Sequence, residues 1–176
     1  SGYSVSLSSD GSIVAIGAKG DNGGGFGSGH VRVYQNNNGT WTQVGEDIDG
    51  DEGSSSGYSV SLSSDGSTVA IGAISTDSYR GQVKIYQINN GTWTQIGEDI
   101  DGENSYDYSG YSISLSSDAS VVAIGAYGNR GIDNYTSYRG HVRIYRNDNG
   151  TWTQIGKDID GENSNDYAGL VSLSSD

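Results

Sequence analysis

The chain has 176 residues, a formal net charge of −13, 29 glycines and 13 tyrosines, and it contains no cysteine, methionine or proline. Without cysteine these residues form no disulfide framework, thiolate metal site or thiol nucleophile. The negative charge argues against nucleic acid or an anionic membrane surface as partner, and no apolar run approaches the ~18 residues needed to span a bilayer.

The chain opens on SGYSVSLSSD at Ser1, and the same block returns at Ser56 and Ser109. A shortened form, AGLVSLSSD, begins at Ala168 and runs to Asp176. A repeat of this length cannot bury its apolar face alone and must lean on its neighbours. The organisation read from these starts is three repeats, 1–55, 56–108 and 109–167, followed by the first strand of a fourth at 168–176. The truncated fourth copy leads to the expectation that the chain is part of a longer array.

Within the first repeat Tyr3, Val5 and Leu7 alternate with Ser4, Ser6 and Ser8, the period of a strand with one apolar face. Asp10-Gly11, Asp65-Gly66 and Asp118-Ala119 follow as hairpin turns. VAIGA comes next, at Val14, Val69 and Val122, apolar or very small on both faces as in a strand buried on both sides. The third strand alternates again, from His30, Gln82 and His141 to Tyr34, Tyr86 and Tyr145. Asn-Gly hairpins lead from it into TWTQ, the fourth strand, where Trp41 and Val44 stand on opposite parities. That break predicts a twisted or bulged outer strand whose tryptophan covers the sheet edge. No segment carries a 3.6-residue period, so essentially no helix is expected.

Four short antiparallel strands per repeat, with connections too short for helices, predict an all-β fold of β-propeller-type blades. Each blade is four-stranded and about 53–59 residues long, giving three blades plus one extra strand. Gly2 to Ala18 and His30 to Trp41 keep constant separations in every copy, and the intervening loop absorbs the length variation. These loops, 19–29, 74–81 and 127–140, place candidate recognition residues Tyr79, Arg80, Tyr138 and Arg139 at matching positions. Tyrosine among small polar residues suits adaptable contact surfaces, while packing on a neighbouring blade accounts for them equally well.

Gly-Tyr-Ser-Val, Ile-Gly-Ala and Gly-His-Val-Arg-Val-Tyr, in that order, resemble the FG-GAP repeat of integrin α-subunit propellers. The resemblance runs through all three repeats. It departs where Lys19, Ile74 or Tyr127 replaces the family's proline, and where the turn 9–12 replaces the calcium loop between the first two strands. Calcium at that position is therefore not carried over.

A second acidic segment is a candidate metal site. Asp47, Asp49 and Asp51 in the first linker are matched by Asp99, Asp101, Glu103 and Asp107, and by Asp158, Asp160, Glu162 and Asp166. Alternate carboxylates followed by glycine can wrap Ca2+ with oxygen ligands. The competing reading is that Ile48, Ile100 and Ile159 plug the seams between repeats while the acids are solvated. Asn38, Asn90, Asn149 and Asn134 fit the N-glycosylation pattern, although Asn-Gly turns followed by a Thr-initiated strand generate three of the four without any glycan.

No catalytic constellation emerges. The two histidines, His30 and His141, are replaced by Gln82 in the middle copy, and the serines lie on alternating strand positions. The sequence-based expectation is a non-enzyme: an extracellular, secreted or cell-surface structural or adhesive module that binds proteins or glycans. Self-association, or further repeats of the same chain, would complete it. Two alternatives stand beside it, a calcium-dependent lectin-like module, and part of a propeller enzyme or receptor ectodomain whose active residues lie outside this stretch.

Overall fold

The computed structural model describes residues 2–131 and 138–174. Three antiparallel sheets follow one another. The first contains β1 (Ser4–Leu7), β2 (Ile13–Ala18), β3 (His30–Asn37), β4 (Thr40–Gln43) and β5 (Ile48–Asp49). The second contains β6 (Ser56–Leu62), β7 (Thr68–Ala73), β8 (Gln82–Asn89), β9 (Thr92–Gln95) and β10 (Ile100–Asp101). The third contains β11 (Ser112–Leu115), β12 (Val121–Ala126), β13 (His141–Asp148), β14 (Thr151–Gln154) and β15 (Ile159–Asp160). In each, the first four strands pair in chain order and the fifth returns to the third. One helical turn is recorded at Thr76–Tyr79, but Asp77 and Ser78 are left-handed there, so it is a tight turn within a loop.

The predicted break in the outer strand is real, and β4 and β5 are its two halves. Tyr34 pairs with Gln43 and Val31 with Ile48, so two residues of β3 face the four residues 44–47. The bulge leaves the Val44 carbonyl free, and Trp93 of the next repeat donates its indole N–H to it at 2.8 Å. Trp152 does the same to Ile96, at 3.0 Å. The tryptophan thus reaches beyond its own sheet edge and latches onto the bulge of the preceding sheet.

The core lies in the seams. Ala15, Val31, Val33 and Ile48 pack against Val60, Leu62, Val69 and Ile71; Ala70, Val83, Ile85 and Ile100 pack against Ile113, Leu115, Val122 and Ile124. VAIGA therefore has two unequal faces, Val and Ile toward the preceding sheet and Ala and Gly toward the following one. The small face is required because the next first strand comes very close. A Cβ on Gly72 would sit 2.3 Å from the Gly110 carbonyl oxygen.

The outermost seams lack a partner sheet. Val5 and Leu7 are 58% and 56% exposed, whereas their equivalents Val60 and Leu62 are 9% and 7% exposed. Ile48 and Ile100 plug their seams, but Ile159 faces solvent. Residues 168–174 lie against the third sheet in the first-strand position, where Leu173 donates its amide to Ser114 Oγ at 2.9 Å. At the turns, Asn38, Asn90 and Asn149 are exposed and left-handed, as Asn-Gly hairpins demand. Asn134 lies outside the described residues.

Candidate functional site

Antiparallel order sends the β2–β3 loops and the linkers to the next repeat to one end of the molecule, and the Asp-Gly and Asn-Gly turns to the other. The variable loops, the acidic linkers and the tyrosine that opens each repeat therefore share one end.

Nine of the 13 tyrosines meet there in one network. Tyr3, Tyr58 and Tyr111 follow one another across the sheets at ring-centroid spacings of 5.0 and 5.4 Å. Tyr111 touches Tyr127 at 4.3 Å, and from Tyr127 one branch runs through Tyr108 and Tyr79 to Tyr106, another through Tyr167 to Tyr138. Such spacings are those of attractive aromatic pairs. Lys19 Nζ lies 3.8 Å from the centroid of Tyr3, and the Arg130 guanidinium lies 5.2 Å from that of Tyr138. Burial pushes the Tyr58, Tyr108 and Tyr127 phenols up, while a hydrogen bond with Tyr58 brings the Tyr3 phenol down. Tyr3, Tyr79, Tyr106 and Tyr167 are half exposed and line the surface.

Of the predicted recognition residues, Tyr79 and Tyr138 belong to this network. Arg80 turns away, to Asp101 at 3.1 Å and Asp77 at 3.3 Å, and Arg139 packs beside Gly131. Sequence reasoning missed Lys19, Arg130 and the linker tyrosines Tyr106, Tyr108 and Tyr167. The available signal was compositional, thirteen tyrosines against one phenylalanine.

The acidic linkers meet fixed cations. Asp47 receives a two-pronged bond from Arg32, which with Gln43 holds its carboxyl down at about 2. Lys84 reaches Asp51 at 2.7 Å and Asp99 at 3.7 Å, spanning the first seam. Arg143 binds Asp158 and, across the second seam, Glu103. Asp107 is buried, accepting from the Asn104 amide at 2.8 Å and from Asn129 Nδ2 at 3.1 Å; Asp166 accepts likewise from the Asn163 amide. Asp160 and Glu162 are exposed. Among the described residues, Asp47, Asp51, Asp99, Asp101, Glu103 and Asp158 therefore serve Arg or Lys, and Asp107 and Asp166 accept from backbone amides.

The histidines are buried beside this ladder. His30 Nδ1 lies 3.1 Å from Asp21 Oδ1, and a ring nitrogen of His30 clusters with carboxylate oxygens of Asp47 and Asp49. His141 clusters with Glu103 and Asp158, and burial lowers its pKa.

No family model matches the chain, and no curated protein matches its sequence. Solved structures do. A provisionally assigned 6-phosphogluconolactonase from Bacteroides fragilis superposes with a TM-score of 0.60 at 18% identity, over 92% of this chain and 39% of that one. A second, from Bacteroides uniformis, gives 0.59 at 14% identity over 92% and 41%. The β-propeller domain of the Trilobed protease from Pyrococcus furiosus gives 0.50 at 11% identity over 89% and 41%. The chain spans about two fifths of the length of these structures. Together with the three stacked sheets, the likeness establishes an all-β fold of β-propeller blades. At these identities it establishes no activity.

It does correct the functional expectation. The step from propeller blades to a non-catalytic extracellular structural or adhesive module fails, because the structures that share these blades carry lactonase and protease assignments. A fold of this kind hosts many activities, and function has to be argued from the site.

Proposed function

We propose that the tyrosine-lined end binds a small uncharged polyhydroxylated ring, of the class of a sugar lactone, as part of a lactone-processing propeller. The observation that carries this reading is the tyrosine network itself, opened to solvent at Tyr3, Tyr79, Tyr106 and Tyr167. Phenol faces stack on the C–H edges of a sugar ring while their hydroxyls exchange hydrogen bonds with its own. Concave or loop-built aromatic surfaces at the ends of strands are the usual location of such sites. The assignments of the two Bacteroides structures favour a lactone within this class. The net charge of −13 favours a neutral lactone over its phosphorylated form.

Saturation-transfer NMR with glucono-1,5-lactone, gluconate and 6-phosphogluconate tests it, alongside lactone hydrolysis measured against the spontaneous rate. The expected result is saturation of the neutral ligand, weakened in Tyr79→Ala and Tyr106→Ala. Absence of binding, or binding unchanged in both variants, overturns the reading.

A further inference from the structure

We propose that the first repeat is built to hold one divalent transition-metal ion at His30, Asp47 and Asp49. His30 is 3% exposed, and its Nε2 has no hydrogen-bond partner among the described residues. Its Nδ1 lies 3.1 Å from Asp21 Oδ1. A proton on Nδ1, donated to that carboxylate, leaves Nε2 as a bare buried lone pair. An imidazole oriented by a carboxylate on its far nitrogen is how proteins present histidine to a metal.

Two further carboxylates gather beside the ring. A ring nitrogen of His30 and one carboxylate oxygen each from Asp47 and Asp49 all lie within 4.8 Å of one another. His30 and Asp49 are direct partners across β3 and β5, and the bulge brings Asp47 in beside them. Asp21, Asp47 and Asp49 together with Arg32 sum to a charge of −2, the complement of a divalent ion. One imidazole and two carboxylates suit Zn2+ or Co2+, whereas Ca2+ prefers an all-oxygen shell.

The other repeats show what the first one lacks. In the second, Gln82 replaces the histidine and the Lys84 ammonium already sits against Asp51 and Asp99. In the third, His141 is present, but the Arg143 guanidinium binds both carboxylates of its cluster. In the first, Arg32 takes Asp47, and Asp49 has no basic partner among the described residues.

The test is titration of the untagged, chelator-treated chain with Co2+, followed by visible absorption, and with Zn2+, followed by calorimetry. One equivalent should bind. His30→Gln, which installs the residue of the second repeat, and Asp49→Asn should each weaken binding about tenfold or more, as should Asp21→Asn through loss of ring orientation. His141→Gln should leave it unchanged. Circular dichroism verifies that His30→Gln is folded; if it is not, the exposed Asp49→Asn decides. The proposal is overturned if no ion binds, if Asp49→Asn and a folded His30→Gln bind like the parent, or if His141→Gln loses binding equally.

Discussion

The hydroxyl of Ser6 accepts a hydrogen bond of 2.9 Å from the backbone amide of Leu62, one repeat away. Ser61 does the same for Leu115, and Ser114 for Leu173, both at 2.9 Å. The first strand of each sheet is an edge, and edge amides are orphans unless something accepts from them. Here the alternate serines of the preceding repeat accept, which is why those positions are polar although they face a seam.

Removing one acceptor should therefore destabilise. Ser61→Ala is expected to lower the unfolding free energy by about 1–2 kcal/mol, since it strands the Leu115 amide. Ser172→Ala, on an exposed face, should change it by less than about 0.5 kcal/mol. Urea denaturation of the two variants distinguishes them.

Equivalent apolar residues should differ in the same way. Leu62→Ala, in the closed first seam, is expected to remove about 2–4 kcal/mol. Leu7→Ala, at the open face, should remove under about 1 kcal/mol despite the identical local sequence. Equal losses in denaturant would contradict the seam assignment.

Acid should act through the turns and the ladder. Asp10, whose carboxylate accepts from the Ser12 amide and the Ser8 and Ser12 hydroxyls, and Asp118, held in the same way, sit at about 2, as does Asp47, against an ordinary value of 3.8. A depressed folded-state value adds stability that is present above the unfolded value and lost as pH falls through the folded one. The thermal midpoint should be level down to about pH 4 and drop between there and pH 2. Asp118→Asn should shallow that drop.

Alkali should act through the phenols. Tyr58, Tyr86, Tyr108, Tyr127 and Tyr145 are raised above 10.0, mainly by burial. The folded chain then holds protons that the unfolded chain has released, so stability should fall as pH rises above about 10. Absorbance at 295 nm should show a fraction of the tyrosines ionising only as the chain unfolds. Full ionisation at about pH 11.5 with the fold intact would contradict the buried network.

Much of the fold was legible because it is local. The period-2 runs, the Asn-Gly turns and the parity break at Trp41 and Val44 are written within one repeat, and each forms as read. Ala119 shows how strongly the repeat imposes its backbone. It occupies the glycine position of the Asp-Gly turn with φ +58, strained for a residue with a Cβ, because Asp118 and the flanking serines hold the turn closed. The site was less legible. Tyr106, Tyr108 and Tyr167 sit in linkers with no period, and only the meeting of loops from different repeats makes them neighbours. The acids looked alike in sequence, yet Arg32, Lys84 and Arg143 reach them only through the bulge and across the seams.

The sequence by itself determined the strands, the turns and the one length-variable loop, since all depend on residues a few positions apart. The tertiary structure decided which face of VAIGA meets which neighbour, where the tryptophans anchor, and which carboxylates are neutralised. It also decided that nine tyrosines form a single network. Each of these is a relation between sheets, fixed by how closely one first strand can approach the next, and no window of sequence contains that distance.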